Sequence, residues 1–291
     1  MDKESIVSDY FENEGYRKSF NQLAKETFGL DFETWYKDDA YKGKYISYAY
    51  IINEQVVANI SINKMHLIVK GKPINAIQIG TVMTHPDYRR RGLSGKLMHH
   101  VLAQYEEYDL IYLFANDTVL DFYPKFGFSR VEEMAYYLKA SQVEKRRGSI
   151  RLLNLENEKD RILIETKVRN RVPISKILGV YEDEWPLGVY CKNEYSKHLY
   201  YIENQSCIVI AERIEGMLHL YDVLSEEPIQ LDKLIEHMVQ ANDEEIEFHF
   251  VPDLSKYKVV KKLCHREDDT LFVKGAGLAD LEVIFPMTSH T

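Results

Sequence analysis

Residues 79–101 read Ile79-Gly-Thr-Val-Met-Thr-His-Pro-Asp-Tyr-Arg-Arg-Arg-Gly-Leu-Ser-Gly-Lys-Leu-Met-His-His-Val101. The stretch opens as a strand over residues 80–84, which Pro86 stops. A turn carrying Arg89, Arg90 and Arg91 follows, then Gly92, then an amphipathic helix. Leu93, Leu97, Met98, Val101, Leu102 and Tyr105 recur at helical spacing, so the helix lays one apolar face on a sheet. Its first turn presents free backbone N–H groups beside three cationic side chains. Orphan donors at the positive end of a helix dipole form a cradle for phosphate.

Gly92 and Gly95 have no side chain to keep a ligand's phosphates from the backbone, and Ser94 between them adds a small hydroxyl. A Walker loop would end Gly-Lys-Ser/Thr, whereas Gly95-Lys96 is followed by Leu97, and no Gly-x-Gly-x-x-Gly fingerprint is present. Arg-x-x-Gly-x-Ser after Thr-His-Pro-Asp-Tyr instead resembles the pyrophosphate loop of the GNAT superfamily of N-acetyltransferases, which hold acetyl-coenzyme A.

A second motif lies downstream. Residues 110–115, Leu-Ile-Tyr-Leu-Phe-Ala, form a short apolar run, as expected of a buried parallel strand. Asn116-Asp117-Thr118 is a helix start by composition, and Phe122-Tyr123-Pro124-Lys125-Phe126-Gly127-Phe128 follows. In the GNAT superfamily an asparagine, a short helix and Tyr-x-x-x-Gly-Phe follow the pyrophosphate helix in this order. The resemblance covers roughly residues 1–140.

Length and composition fit. At 291 residues the chain holds two domains on the usual ~100–200 residues each. Hydrophobic content of 45% is ordinary for a packed core, and no apolar run approaches the ~20 residues of a membrane span, so no membrane partner is expected. The start, Met-Asp-Lys-Glu-Ser, is charged and lacks an apolar signal region, and with the scattered cysteines a cytoplasmic location is expected. Cys191, Cys207 and Cys264 are scattered with no Cys-x-x-Cys pair, so reduced thiols and no metal framework are expected. A formal charge of −9 argues against nucleic acid and mildly favours cationic acceptors. Homo-oligomerisation is left open.

Before the motif, residues 16–28 have helical spacing and end at Gly29. Residues 45–52, 56–64 and 65–69 read as strands bounded by turn signals at Asn53-Glu54 and Gly71-Lys72-Pro73. Residues 134–139 are expected to close this sheet. A basic, glycine-containing stretch at 145–149 then separates the halves. Beyond it the reading is strands at 206–213 and 217–224, a helix at 231–240, a strand at 245–251, a short helix near 256–263 and a strand at 270–274. That order repeats the first half without its phosphate loop: Ser225-Glu226-Glu227-Pro228 stands where the arginines stood. The expected fold class is α+β: a mixed-sheet GNAT acyl-CoA N-acyltransferase fold over 1–145, followed by a second, degenerate GNAT-like domain over 146–291 that walls the acceptor pocket.

This tandem arrangement, with the wording of residues 81–93, resembles the enhanced-intracellular-survival (Eis-like) branch of the superfamily. There a third, sterol-carrier-like domain brings the C-terminal carboxylate into the site as a base. Two domains of ~100–150 residues use up the present length, so this chain departs from that pattern, and whether the Thr291 carboxylate reaches the site is left open.

The resemblance implies the chemistry. Acetyl-CoA serves as co-substrate and an amine attacks its thioester. Backbone groups of Val82, Met83 and Thr84 hold the pantetheine like an extra strand, and one N–H polarises the thioester oxygen. Arg89, Arg90 and the amides of Arg91, Gly92, Leu93, Ser94 and Gly95 take the pyrophosphate. Asn116 orients the pantetheine arm or the following helix. Tyr123 is the general acid, a phenol of reference pKa ~10 that can protonate a thiolate whose conjugate acid lies near ~8.5. A plainer reading stands beside each: solvated surface arginines, a core tyrosine among 21, and an ordinary helix cap. His99 and His100 fall on an exposed or edge face. Trp185 and the tyrosines at 190, 195, 200 and 201 are core or acceptor-pocket lining. Many relatives carry a glutamate base on the cofactor strand, but residues 75–79 read Asn-Ala-Ile-Gln-Ile, with no carboxylate. The leading function is an N-acetyltransferase acting on a primary amine of a small molecule or peptide. The alternative is a non-catalytic acyl-CoA-binding sensor or interaction module.

Overall fold

Asn53 and Glu54 both adopt positive φ (50° and 66°), the backbone of a two-residue hairpin turn. They join two long strands that carry the first sheet. The computed structural model describes the chain apart from residues 1–4, 39, 40, 42, 276, 279 and 291. In order, the first half holds β1 (Ser5–Ser8), α1 (Glu14–Phe28), α2 (Glu33–Asp38), β2 (Tyr45–Ile52), β3 (Gln55–Val69), β4 (Lys72–Thr84), α3 (Leu93–Gln104), β5 (Leu110–Ala115), β6 (Ser129–Arg130) and β7 (Glu133–Lys139). The second half holds β8 (Ile150–Leu152), α4 (Glu158–Asn170), β9 (Leu178–Tyr181), α5 (Glu184–Lys192), β10 (Leu199–Ile202), β11 (Cys207–Ile214), β12 (Met217–Leu224), α6 (Leu231–Met238), β13 (Glu245–Phe248), β14 (Val260–Cys264) and β15 (Thr270–Gly275). The two strands expected at 56–64 and 65–69 are one continuous strand, β3, because no turn residue separates Lys64 from Met65.

The class is α+β with two mixed sheets. β4 and β5 run parallel with α3 between them, and α3 buries Leu93, Leu97, Met98 and Val101 against Ile60, Ile62, Ile77, Ile79 and Leu113. Each such side chain contributes roughly 1.5–3 kcal/mol of burial. In the second half β12 and β13 are likewise parallel, with α6 between them burying Leu231, Leu234, Ile235 and Met238. This repeats the first unit in order and direction.

The sheets differ from expectation at their far edges. The first runs β1-β2-β3-β4-β5-β15-β6, with β9 paired to β3; the second runs β14-β7-β13-β12-β11-β10-β8. Residues 134–139 therefore do not close the first sheet: β7 lies between β13 and β14. The strand of the second half, β15, takes its place between β5 and β6, with Thr270 opposite Ala115 and Gly275 opposite Leu110. The first half lends β7 to the second sheet, and the second half lends β9 and β15 to the first. Alternation within a strand says which side chains face a core, not which sheet accepts the strand. The helix expected near 256–263 is also absent: residues 260–264 form the exposed edge strand β14, a short run whose apolar spacing suits either element.

Exchange merges the cores. Tyr112 of β5, Leu271 and Val273 of β15, Tyr136 and Leu138 of β7, and Leu218, Leu220, Ile246 and Phe248 of the second sheet belong to one apolar cluster. Trp185 of α5 donates Nε1–H to Asn63 Oδ1 of β3 at 2.9 Å. Among the described residues no helix is long and apolar enough to cross a membrane.

A buried ionic knot fastens the second half. Arg171, just past α4, donates to both Asp183 oxygens (2.8 and 2.5 Å) and to Asp222 Oδ2 (2.7 Å), and the Thr288 hydroxyl donates to the same Asp222 oxygen. The side chains of Arg171, Asp183 and Asp222 are 2%, 0% and 0% exposed, so neither carboxylate has water to fall back on. Removing the guanidinium strands two buried carboxylates. Arg171→Ala should cost about 3–5 kcal/mol of unfolding free energy. Urea denaturation would read this directly; a loss under about 1 kcal/mol would mean that the knot is solvated.

Candidate active site

The site begins with a defect in a strand. Along β3 and β4, Asn59 faces Met83 and Ser61 faces Gly80, so Thr81 and Val82 together stand opposite Ile60. This is a β-bulge with Thr81 at φ 49°. Side chains hold it: Asn59 Nδ2 donates to the Thr81 carbonyl at 3.0 Å, Tyr10 donates to Asn59 Oδ1 at 2.7 Å, and the Tyr45 and Thr81 hydroxyls lie 2.9 Å apart. β4 and β5 are paired only from Ala76↔Leu110 to Ile79↔Leu113. Beyond that rung they part, leaving the β5-facing edge of Val82, Met83 and Thr84 without a ladder. Val82 turns toward the α3 side, and Met83 is buried among Tyr45, Trp185 and Phe11 on the other.

The opening leads to the arginine turn. Arg89 Nε donates to the Thr84 carbonyl at 3.2 Å, and the Thr84 and Ser94 hydroxyls approach to 2.5 Å, fastening the strand end to the first turn of α3. Arg91 donates to the Asp87 carbonyl at 2.8 Å and lies 4.7 Å from the Tyr88 ring centroid, so its guanidinium belongs to the turn itself. Arg90 takes φ 62° and Gly92 φ 75°. Gly92 caps α3 with no side-chain bond to its first turn, so the amides of Leu93, Ser94 and Gly95 keep their donors. No ion pair engages Arg89, Arg90 or Arg91 among the described residues, and all three are exposed. The predicted cradle residues are thus together.

Tyr123 opens a short 3-10 helix, Tyr123–Phe126, which Gly127 ends at φ 83°. Its ring is 5% exposed and packs on Phe128 and on Phe272 of β15. Burial pushes the phenol up to about 12, so it holds its proton at neutral pH. Asn116 Oδ1 accepts from Thr118 N–H (2.9 Å) and from the Thr118 hydroxyl (2.6 Å): it caps the turn after β5.

On the opposite face of β5 lies a group that the sequence did not mark. His290 stacks on Phe114, ring centroids 3.6 Å apart and 13° between planes. Phe114 is the first residue of β5 past its last rung with β4. His290 Nδ1 lies 3.2 Å from an Asp269 oxygen, while Nε2 is buried without a hydrogen-bond partner among the described residues. Burial opposes ionisation of Asp269, but the His290 hydrogen bond and the charges of His290 and Arg266 outweigh it and hold the carboxyl below its usual range. Glu133, pushed up by burial, and Arg266 join Asp269 around a cavity of about 210 Å³ where the exchanged strands cross. No local motif announces this pair: residues 269 and 290 meet only because β15 lies against β5 and the C-terminal segment folds beneath it. Phe285 of that segment stacks on Tyr112 at 4.6 Å.

Other candidates resolve plainly. The His99 ring meets Phe126 edge-on and His100 meets Tyr48. Trp185, 2% exposed, packs with Trp35, Tyr41 and Tyr45. Tyr190 stacks on Tyr195 and donates its hydroxyl to the His290 carbonyl at 3.0 Å, whereas Tyr200 and Tyr201 lie in β10. Thr291 lies outside the described residues.

The family profile for the acetyltransferase (GNAT) domain matches residues 12–131. N-alpha-acetyltransferase 50 of Danio rerio is 30% identical over 129 residues, 42% of this chain and 74% of that protein. The chain belongs to the GNAT family. Solved structures extend this GNAT chain's fold likeness beyond the matched domain. A probable N-acyltransferase from Enterococcus faecalis V583 superposes with a TM-score of 0.64 at 17% identity, over 96% of this chain and 74% of that one. Eis1 from Mycobacterium abscessus gives 0.61 at 14% identity, over 93% and 73%. The whole GNAT chain, beyond the matched domain, therefore shares the fold of these two structures.

Gly92 tests the cradle. A β-carbon there meets nothing within 4 Å, so an aspartate fits in space while adding negative charge and a strained φ. Gly92→Asp should weaken coenzyme A binding by on the order of 3 kcal/mol, roughly 100-fold. Calorimetry on a variant with wild-type circular dichroism measures it; unchanged affinity would remove the turn from the site.

Proposed function

We propose that this chain is an acetyl-CoA-dependent N-acetyltransferase that acts on a primary amine of a small molecule or peptide. One observation carries the reading: the parting of β4 and β5 opens beside an uncapped, arginine-flanked helix start. That combination offers strand-like hydrogen bonds to an extended amide chain and cationic donors to a pyrophosphate, the two halves of coenzyme A. Val82, Met83 and Thr84 would hold the pantetheine. Arg89 and Arg90, with the amides from Arg91 through Gly92, Leu93 and Ser94 to Gly95, would hold the phosphates. Asn116 contributes by capping the turn that precedes the Tyr123 helix.

The chemistry divides across β5. The amine nitrogen attacks the thioester carbon, and the carbonyl oxygen takes the negative charge and is met by a backbone N–H of the parted β4. Collapse breaks the C–S bond; the thiolate takes the Tyr123 proton, which solvent restores. His290 accepts the proton lost by the amine. Asp269 favours the tautomer with the proton on Nδ1, leaving the Nε2 lone pair free. This pair supplies the base that the strand lacks. Residues 1–145 would then carry the cofactor and the acid, while 146–291 supplies the base and a wall of the acceptor pocket, where Glu133 and Asp269 favour a cationic amine.

Tyr123→Phe and His290→Gln should each lower turnover by about 10²–10⁴-fold while leaving coenzyme A affinity within about twofold. Thiol release from acetyl-CoA with a panel of amines reads turnover. Binding of coenzyme A without release for any amine would identify a sensor instead.

The second half should bind no cofactor of its own. The turn between β12 and α6 offers Glu226, which accepts from Lys167 at 2.7 Å and from Asn170 at 3.1 Å, and Glu227, in place of arginines. Like charges so placed repel a pyrophosphate. Titration of ligand-free chain should saturate near one coenzyme A per chain, and two sites would refute this division.

A further inference from the structure

The outer face of the second sheet carries a row of polar side chains in register. Glu212 of β11 lies opposite His219 of β12, His219 opposite Glu247 of β13, and Glu247 opposite Tyr137 of β7. His249, two residues beyond Glu247, points to the same face. Three donor atoms converge there: His219 Nδ1 is 2.9 Å from Glu247 Oε2 and 3.1 Å from His249 Nε2, and the last two are 3.7 Å apart.

The geometry points to a divalent transition-metal site formed by His219 Nδ1, His249 Nε2 and Glu247 Oε2, with zinc as the representative ion. Tetrahedral zinc with bonds of about 2.0–2.1 Å places its ligands about 3.3 Å apart, and the observed separations of 2.9, 3.1 and 3.7 Å bracket that value. A hydrogen-bond reading is less complete. A single proton on His219 Nδ1 can serve Glu247 or His249 but not both, whereas one ion satisfies all three atoms. Two imidazoles with one carboxylate suit a borderline ion and disfavour magnesium or calcium.

The surroundings are those of a built site. Tyr137 donates its hydroxyl to the other oxygen, Glu247 Oε1, at 2.9 Å and so turns Oε2 inward. The Tyr221 ring lies over both imidazoles, 12° from the plane of His219 and 36° from that of His249. Its hydroxyl donates to Glu212. Arg266, whose charge also acts on His249, is answered by Glu133 and Asp269. The three side chains are 15–18% exposed, which leaves a path for entry and a fourth position for water. The site ties β12 to β13 and shares no residue with those assigned to acyl transfer.

The test uses the full chain, stripped by chelator and titrated with cobalt(II) and then zinc. One cobalt per chain should bind with the visible absorption of a four-coordinate ion, zinc should displace it, and zinc should raise the melting temperature. Glu247→Gln and His249→Ala should each lower affinity by at least about 100-fold and abolish the thermal shift, and Tyr137→Phe should lower affinity by roughly 10-fold. His99→Ala, an exposed histidine elsewhere, should bind as wild type. Glu247→Gln keeps the shape of the side chain, so it decides the matter should His249→Ala fail to fold. Absence of a saturable ion at one equivalent, or undiminished binding in Glu247→Gln, would overturn the site.

Discussion

The ladder between β5 and β15 is the interaction on which the rest of this molecule depends. β5 has a partner on one side only as far as Leu113, because β4 bends away at its bulge. On its other side it is paired along its whole length, from Leu110 to Ala115, by a strand that arrives from more than 150 residues downstream. That pairing satisfies the backbone of a strand otherwise exposed in the middle of an opening. It also delivers the site. Phe272 of β15 buttresses the Tyr123 ring on one face, and Asp269, just before β15, reaches His290 on the other. The strand thus holds Tyr123 on one side and the Asp269–His290 pair on the other.

The exchange of β7 for β15 also joins the cores of the two halves. Had each half kept its own closing strand, its core would end at that strand. With the strands crossed, Tyr136 and Leu138 pack among second-half residues, while Leu271 and Val273 pack beside β5. The crossing chains enclose Glu133, Arg266 and Asp269, charged groups that a simple sheet edge would leave in water. Burial without full hydrogen bonding is costly, and the ion pairs of Arg266 with Glu133 and Asp269 offset part of that cost.

Electrostatics separates two units of similar architecture. Both place a helix between parallel strands, so both point a positive helix end at the turn before it. In the first, glycines and arginines that form no ion pair among the described residues leave that end open to an anion. In the second, Glu226 and Lys167 close it internally. The same backbone geometry thus carries opposite charge at its two helix starts, decided by a handful of side chains.

Local chemistry was legible in the residues. The strand, turn and helix of 79–101, the cap at Asn116, the placement of Tyr123 and the hairpin at Asn53-Glu54 all follow from interactions among near neighbours, which short-range propensity and periodicity encode. So does the repeat of strand, helix and strand in the second half. What sequence reading assigned wrongly, residues 134–139 and 256–263, were edge or exchanged strands, whose partner is chosen by energies spread over two sheets. What it missed, the Asp269–His290 pair and the convergence of His219, Glu247 and His249, joins positions by register and by crossing of the chain. No segment of sequence carries that information by itself; only the closed tertiary structure brings those atoms within bonding distance.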